Sequence, residues 1–236
     1  MIERIQVIGA GRVGSAFSAR LRERGLSLDD PDPELVLICV PDRAIADVAR
    51  EVPRGPWIGH VSGATPLRAL NPHVLRFGLH PLQTFTLRRG PEQIDGAYAA
   101  ITAESEEARD VGLWLARTLG LHPFVLDDDR RGAYHAGAAI ASNYLVTLRR
   151  AAGLLLESAG APPEALDPLM RRTIENEFEL TGPIERGDWE TVGMHLDAIR
   201  TRHPELEDLY RVLADLTTRQ LDRPDYGLTH GSGVRA

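Results

Sequence analysis

Three glycines near the N-terminus carry the first chemical signal. In "IQVIGAGRVGSAF", Gly9, Gly11 and Gly14 stand in the spacing G-x-G-x-x-G. They fall between an apolar run that ends at Ile8 and a helical pattern that begins near Ser15. Each glycine answers a different need: a tight turn, close approach of a pyrophosphate to the backbone, and close packing of helix on strand. Ala10, Arg12 and Val13, set among them, belong to the same loop and helix start, where free N–H groups meet phosphate oxygens. Alone, such a loop can serve packing only. At the first strand of an α/β chain it marks a nucleotide site.

A second group of polar residues falls where later strands should end. Val40, Pro41 and Asp42 close the apolar run "LVLICV". His60, Ser62 and Gly63 end "PWIGHVSG", and His80, Gln83 and Thr84 interrupt "LHPLQTF". Ligands of open α/β sheets bind beyond the carboxyl ends of the strands. The turns Val40–Asp42 and Ser62–Gly63 are therefore expected to flank the reacting end of a dinucleotide. His60, Gln83 and Thr84 are expected to meet the substrate. A single histidine at a strand end is as readily a hydrogen-bonded structural residue; three polar groups converging on one edge favour a site.

Further along, His135, Ala139 and Asn143 are spaced i, i+4, i+8 and share one helix face. Asn143 can equally make a helix–helix hydrogen bond. Tyr134 and Tyr144 are expected to pack rather than act as acids. In "LTGPIERGD", Arg186 can hold a substrate carboxylate or pair with Glu185 or Asp188. Asp188 is expected to cap the next helix. "DDDR" at 127–130 has no calcium-loop pattern and reads as a helix-start cap. No His, Asp or Glu cluster has metal-ligand spacing, so no metal site is expected.

One stretch conflicts with the glycine loop. Only ten residues, Gly25 to Glu34, separate the first helix from "LVLICV". A dinucleotide fold normally fits a strand, a helix and a ribose-reading carboxylate there, the last ~20 residues beyond the glycines. Asp29 and Asp30 come 15 and 16 residues after Gly14. If "LSL" is a stunted strand, one of them reaches the ribose and NAD is favoured over NADP. Otherwise "DDPDP" is a solvated turn.

The elements that position these groups alternate through residue 126. Strands are expected at Ile5–Ile8 and Leu35–Val40, and within "PWIGHVSG", "VLRFGLHPL", "GAYAAITA" and "HPFVLD". Helices are expected at Ser15–Arg24, at Arg43–Glu51 capped by Asp42, and at Ser105–Leu119, with a turn in "TPLRAL". This is an α/β pattern with a parallel sheet over residues 1–126. From 127 to 222 the pattern is helical throughout. It comprises Arg130–Ala159 stopped by Gly160, then Leu166–Leu180, Trp189–Thr201 and Pro204–Leu221. The polar, Gly-rich tail 223–236 is expected to be disordered.

Composition narrows the chemistry. The chain has 236 residues and net charge -7 without a basic run, which argues against nucleic acid or an anionic membrane as partner. No apolar stretch reaches the ~20 residues of a membrane span. The chain enters a strand at once, without a signal peptide, and reads as soluble and cytoplasmic. Its single cysteine, Cys39, sits in an apolar run and reads as a small core residue. All 27 basic residues are arginine. Schiff-base chemistry and lysine acid–base catalysis are therefore excluded.

The segments "VIGAGRVGSAF", "ICVPD", "HVSGATPLRAL", "GLHPLQTF", "YHAGAAIASNYL" and "LTGPIERGD" follow one another over nearly the whole chain. Together they resemble the Rossmann-like proteins that carry the domain of unknown function 2520. Those are similar to ketopantoate reductase, pyrroline-5-carboxylate reductase and 6-phosphogluconate dehydrogenase. The resemblance implies a Rossmann domain, a helical C-terminal domain that often mediates dimers, and an NAD(P)-dependent oxidoreductase activity. In the related β-hydroxyacid dehydrogenases the equivalent helix supplies a lysine four residues before the asparagine. Here that position is Ala139. His135 or His80 would then serve as proton donor, since histidine titrates near neutral pH, with Asn143 orienting the substrate.

Two functions follow. One is NAD(P)H-dependent reduction of a small carbonyl or imine compound by a homodimer. The other is a non-catalytic nucleotide or metabolite sensor on a decayed dehydrogenase scaffold.

Overall fold

The computed structural model describes residues 2–221; the tail expected to be disordered lies outside the described residues. Six strands form one sheet in chain order: β1 Ile5–Ile8, β2 Leu35–Ile38, β3 Trp57–His60, β4 Arg76–Leu82, β5 Tyr98–Ala103 and β6 His122–Val125. β1 to β4 are parallel, with Ile5 opposite Leu35, Leu35 opposite Trp57, and Gly59 opposite Phe77. The all-parallel expectation fails at β5. It lies antiparallel to β4, with His80 opposite Ala100, while β6 runs parallel to β5. A buried apolar run reads the same in either direction, so composition alone does not fix a strand's sense.

Every residue of β2 is buried, because both faces of the sheet are covered. Helices α1 (Arg12–Glu23) and α3 (Glu106–Leu119) cover one face. There Phe17, Leu21, Leu115 and Leu119 join Leu37, Phe77 and Leu79. Helix α2 (Ile45–Glu51) covers the other, where Ile45 and Ala49 join Val36, Ile38, Ile58 and Leu70. Ser105 caps α3 by accepting from the Ala108 N–H at 3.1 Å. Arg20, buried on α1, donates to the Asp95 carboxylate at 2.6 Å and to the Pro91 carbonyl at 3.0 Å. Its guanidinium is buried, whereas its carboxylate partners Asp95 and Glu23 are exposed.

After β6 come α4 (Arg131–Ala139), a π-helical turn over Ile140–Tyr144, and α5 (Leu145–Ser158). The chain then forms α6 (Leu166–Glu175), α7 (Trp189–Arg202) and α8 (Glu207–Leu221). Asp188 caps α7, accepting from the Thr191 N–H at 3.1 Å. Helix α6 is five residues shorter than the expected Leu166–Leu180. It ends in a Schellman motif: the Phe178 N–H donates to the Thr173 carbonyl and the Glu177 N–H to that of Ile174. The left-handed position is held by Glu177, at φ +54°, not by glycine. The sequence therefore gave no stop signal.

By its contacts the chain divides into two compact units, Met1–Ser142 and Asn143–Ala236. The sheet ends at β6, near the expected boundary of 126. The unit that contains it continues through α4, because Arg131 binds that helix to the strand-end turns.

Candidate active site

The glycine loop is shaped by what surrounds each glycine. Gly9 has φ +113°, and a Cβ there would lie 2.5 Å from the Cys39 carbonyl oxygen. A Cβ on Gly14 would run into the carbonyl oxygen of Gly9, so the chain itself fills both places. Gly11 differs: a Cβ there would meet nothing within 4 Å. It caps α1 without a side-chain hydrogen bond, and the first turn of α1 carries no acidic side chain. Arg12 is exposed at the helix start, Val13 packs into the core, and the Ser15 hydroxyl donates to the Ala10 carbonyl at 3.0 Å. An open backbone cradle at a helix N-terminus fits a phosphate. Cys39 beneath it is buried, which pushes its thiol up to about 12, so it is inert.

The loop continues into the turn after β2. The Val40 side chain approaches Gly9, and Pro41 starts a 3-10 turn over Asp42–Ala44. Contrary to expectation, Asp42 does not cap α2. Its carboxylate accepts from the Ser62 hydroxyl at 2.7 Å. Ser62 lies in the turn after β3; its oxygen also accepts from the Thr65 N–H at 3.0 Å and lies 2.9 Å from Thr65 Oγ1. The two strand-end turns are thereby tied together.

A buried arginine clamps the second turn from the other side. Arg131, at the start of α4, donates from Nη1 to the Ser62 carbonyl at 2.9 Å and from Nε to Asp128 at 2.8 Å. Asp128 also accepts from the Leu67 N–H at 3.1 Å. "DDDR" is therefore an anchor for the turn and not the expected helix cap. The guanidinium sits where a side chain on Gly78 would have to be. Arg131 and Asp128 are the residues that sequence reasoning missed. Their signal was faint: an Asp–Arg pair at i, i+3 and a glycine inside β4.

The histidines divide into two kinds. His60 is fully buried, and its Nδ1 accepts from the Ser62 N–H at 3.2 Å. Burial above all, then the Arg131 and His80 charges, push it down to about 3. This corrects the expectation of a substrate contact: neutral His60 supports the turn from beneath. His60 Nε2 and Arg131 Nη2 are buried without partners among the described residues, at a cost of roughly 1–3 kcal/mol each.

His80 and His135 lie at the rim. Their ring centroids are 6.0 Å apart. A Cβ on Gly63 would fall 2.7 Å from His135 Cδ2 and 2.9 Å from His80 Nε2, so both rings lie against the Gly63 backbone. His80 Nδ1 is 2.7 Å from the Tyr134 hydroxyl. Burial pushes that hydroxyl up to about 12, so it keeps its proton. We take Tyr134 as the donor, which places the His80 ring proton on Nε2. Burial, then the charges of His135 and Arg131, hold His80 at about 4. The premise that His80 titrates near neutral pH is thus corrected: it is a neutral N–H donor.

The structure gathers Gly9–Gly14, Val40–Asp42, Ser62–Gly63, His80 and His135 into one strip of the first unit. Gln83 and Thr84 are exposed beyond β4, where Gln83 Oε1 accepts from the Thr84 N–H at 2.8 Å. Asn143 and Arg186 belong to the second unit and are both exposed. The face expected for 135, 139 and 143 assumed α-helical pitch. The π turn over Ile140–Tyr144 changes the register before Asn143 is reached. Among the described residues no group of three or more His, Cys, Asp or Glu side chains could hold a metal. No helix there is long and apolar enough to cross a membrane.

The family model described as "Domain of unknown function (DUF2520)" matches residues 97–217, from the sheet's antiparallel edge into α8. The chain belongs to the DUF2520 family. This DUF2520 protein also resembles several solved structures. One is a Bacteroides fragilis protein provisionally described as an NADP oxidoreductase. It has 22% identity and a TM-score of 0.77, over 92% of this chain and 98% of that one. A Thermotoga maritima protein shares 24% identity, with TM-score 0.75, over 94% of this chain and 99% of that one. The reductive aminase from Aspergillus terreus, in complex with NADPH and ethyl levulinate, shares 16%. Its TM-score is 0.62 over 94% of each chain. At these identities the likeness is one of fold. No curated protein matches. The DUF2520 match contains Arg131, Tyr134, His135, Asn143 and Arg186, while the glycine loop lies before it.

Proposed function

We propose that this protein is an NAD(P)H-dependent oxidoreductase that reduces a small carbonyl or imine compound. The observation that carries the reading is the contrast within the glycine loop. Gly9 and Gly14 are required by the chain, whereas Gly11 faces open space at the N-terminus of α1, where free backbone N–H groups suit a phosphate. The names of the fold relatives, an NADP oxidoreductase and an NADPH-bound reductive aminase, agree with it.

In this reading the backbone of Gly9–Gly14, with Ala10, Arg12 and Val13, binds the pyrophosphate. The turns Val40–Asp42 and Ser62–Gly63 flank the nicotinamide, held in place by Asp42 and by Arg131. The nicotinamide, when bound, supplies a hydride to the substrate carbon. The chain must stabilise and protonate the oxygen or nitrogen left with the electron pair. Neutral His80 donates a hydrogen bond from Nε2, and its Tyr134 partner fixes that tautomer. His135, exposed beside it, delivers the proton. Gln83 and Thr84, exposed beyond β4, contact and orient the substrate.

Apolar side chains exposed on the helices of the second unit, among them Leu169, Met194, Val212 and Leu216, support a homodimer formed there. We place the protein in the cytoplasm, beside the cell's nicotinamide pool. One observation favours the second reading, a sensor without turnover: neither the lysine of related enzymes nor a protonated His80 is present at neutral pH. His80→Ala and His135→Ala variants that bind nucleotide but lose turnover decide for the enzyme.

Gly11→Asp tests the shared premise. Asp is a good N-cap and has room, so melting temperature should hold or rise. Its carboxylate would occupy the phosphate cradle, and NADH and NADPH affinity by calorimetry should fall at least ~100-fold, the ~2.7 kcal/mol scale of one or two lost charge-assisted bonds. Unchanged affinity would remove the nucleotide site.

A further inference from the structure

The two halves of a dinucleotide site are unequally built here. On the nicotinamide side stand the cradle, the two tied turns and the histidine pair. On the adenosine side stands the ten-residue return from α1 to β2. Helix α1 stops at Gly25, where the Leu26 N–H donates to the Leu21 carbonyl. Ser27 then makes a single parallel bridge to Arg4: its N–H donates to the Glu3 carbonyl, and its carbonyl accepts from the Ile5 N–H at 2.8 Å. "LSL" thus joins the sheet through one residue, on the edge of β1 opposite β2. Leu26 and Leu28 face the core.

Of the carboxylates that follow, Asp30 and Glu34 are bound within the turn itself. Asp30 accepts from the Asp32 N–H at 2.9 Å and lies 3.9 Å from Arg4 Nε. Arg4 Nε donates to the Asp32 carbonyl at 2.8 Å, and Glu34 accepts from the N–H groups of Glu3 and Arg4. Asp29 is almost fully exposed and lies 3.7 Å from Arg22. The stretch is the solvated turn. It offers no buried, fixed carboxylate to ribose hydroxyls: Asp29 and Asp32 stand exposed on the turn. Arg4 is bound into the turn and Arg22 pairs loosely with Asp29, so neither is held in place for a 2′-phosphate.

We propose that this site grips its cofactor by the phosphate and nicotinamide alone and leaves the adenosine unread. The inference rests on the reductase reading above and narrows its ligand class to carriers of a reduced nicotinamide mononucleotide unit. NADH, NADPH and reduced nicotinamide mononucleotide should bind with similar strength. The preference for NAD expected from Asp29 and Asp30 disappears.

The test is calorimetry on the full chain with those three ligands and, separately, with AMP. The expected result is three dissociation constants within about tenfold and no heat from millimolar AMP. Asp29→Asn with Asp30→Asn should leave NADH affinity and the NADH:NADPH ratio within about twofold. Dinucleotide binding ~100-fold tighter than the mononucleotide overturns the inference and leaves the reductase reading standing. So does a tenfold loss of NADH affinity in the Asp29/Asp30 variant. No binding of any reduced nicotinamide at millimolar concentration overturns both.

Discussion

The two units spend their apolar residues differently. In the first, 28 apolar residues are buried; among the described residues of the second only Leu166, Val192 and Ile199 are. Yet the second unit is only slightly poorer in apolar residues, with 37 in 94 against 64 in 142. It exposes Val146, Leu154, Leu169, Met194, Val212 and Leu216 along its helices. The sheet unit closes its core within one chain, whereas the helical unit holds apolar surface in reserve. If the proposed homodimer forms through that surface, the second unit's stability depends on concentration while the first's does not.

The sharpest way to break that comparison is Phe77→Ala. Phe77 is fully buried between the sheet and α3, and the change should cost the first unit about 3–5 kcal/mol by urea unfolding. A loss under ~1 kcal/mol would mean that the sheet core is not closed on its own.

Acid should act next, and again on the first unit. His60 and His80 hold folded values of about 3 and about 4, below the ordinary 6.5. Between 6.5 and those values the unfolded chain takes up protons that the folded chain refuses. Their stabilising contribution is complete above pH 6.5 and declines as pH falls toward 4, by roughly 3 kcal/mol for each histidine. His60→Asn, whose amide oxygen can still accept from the Ser62 N–H, should flatten the profile. An equal slope in that variant would exclude His60 as its source.

The second unit is probed by Leu216→Glu, on exposed surface of α8. It should shift sedimentation toward monomer at micromolar concentration while leaving the first unit's unfolding within ~0.5 kcal/mol. An unchanged sedimentation profile would show that this face is not a subunit interface. The smallest effect is expected from Glu177→Gly, which should stabilise α6 by about 0.5–1 kcal/mol by relieving the left-handed backbone. Destabilisation would mean that the Glu177 side chain matters more than its conformation.

What the sequence disclosed follows the same division between local and remote. The glycine loop, the Ser105 and Asp188 caps and the run "LVLI" are written in contiguous residues, and each was legible. The sense of β5 was not, because apolar runs lack direction. The end of α6 escaped because glutamate stands where glycine would have signalled. Asp42 offered two plausible partners, a helix N-terminus and a serine twenty residues on; only the fold chose between them. Arg131 is the extreme case. Its role depends on Asp128, on the Ser62 carbonyl and on the missing side chain of Gly78, which no periodicity connects. His80 was found by position, yet its protonation was misread, because burial and neighbouring charge belong to the fold rather than the residue.

The short return after α1 has a consequence beyond ligand binding. It leaves β1 at the sheet's margin, where unpaired amides invite a strand from another molecule. The charged turn answers that hazard: Arg4, Asp30 and Glu34 crowd the start of the margin, and Ser27 occupies its first bonding position. Charge of this kind at a sheet margin disfavours edge-to-edge pairing.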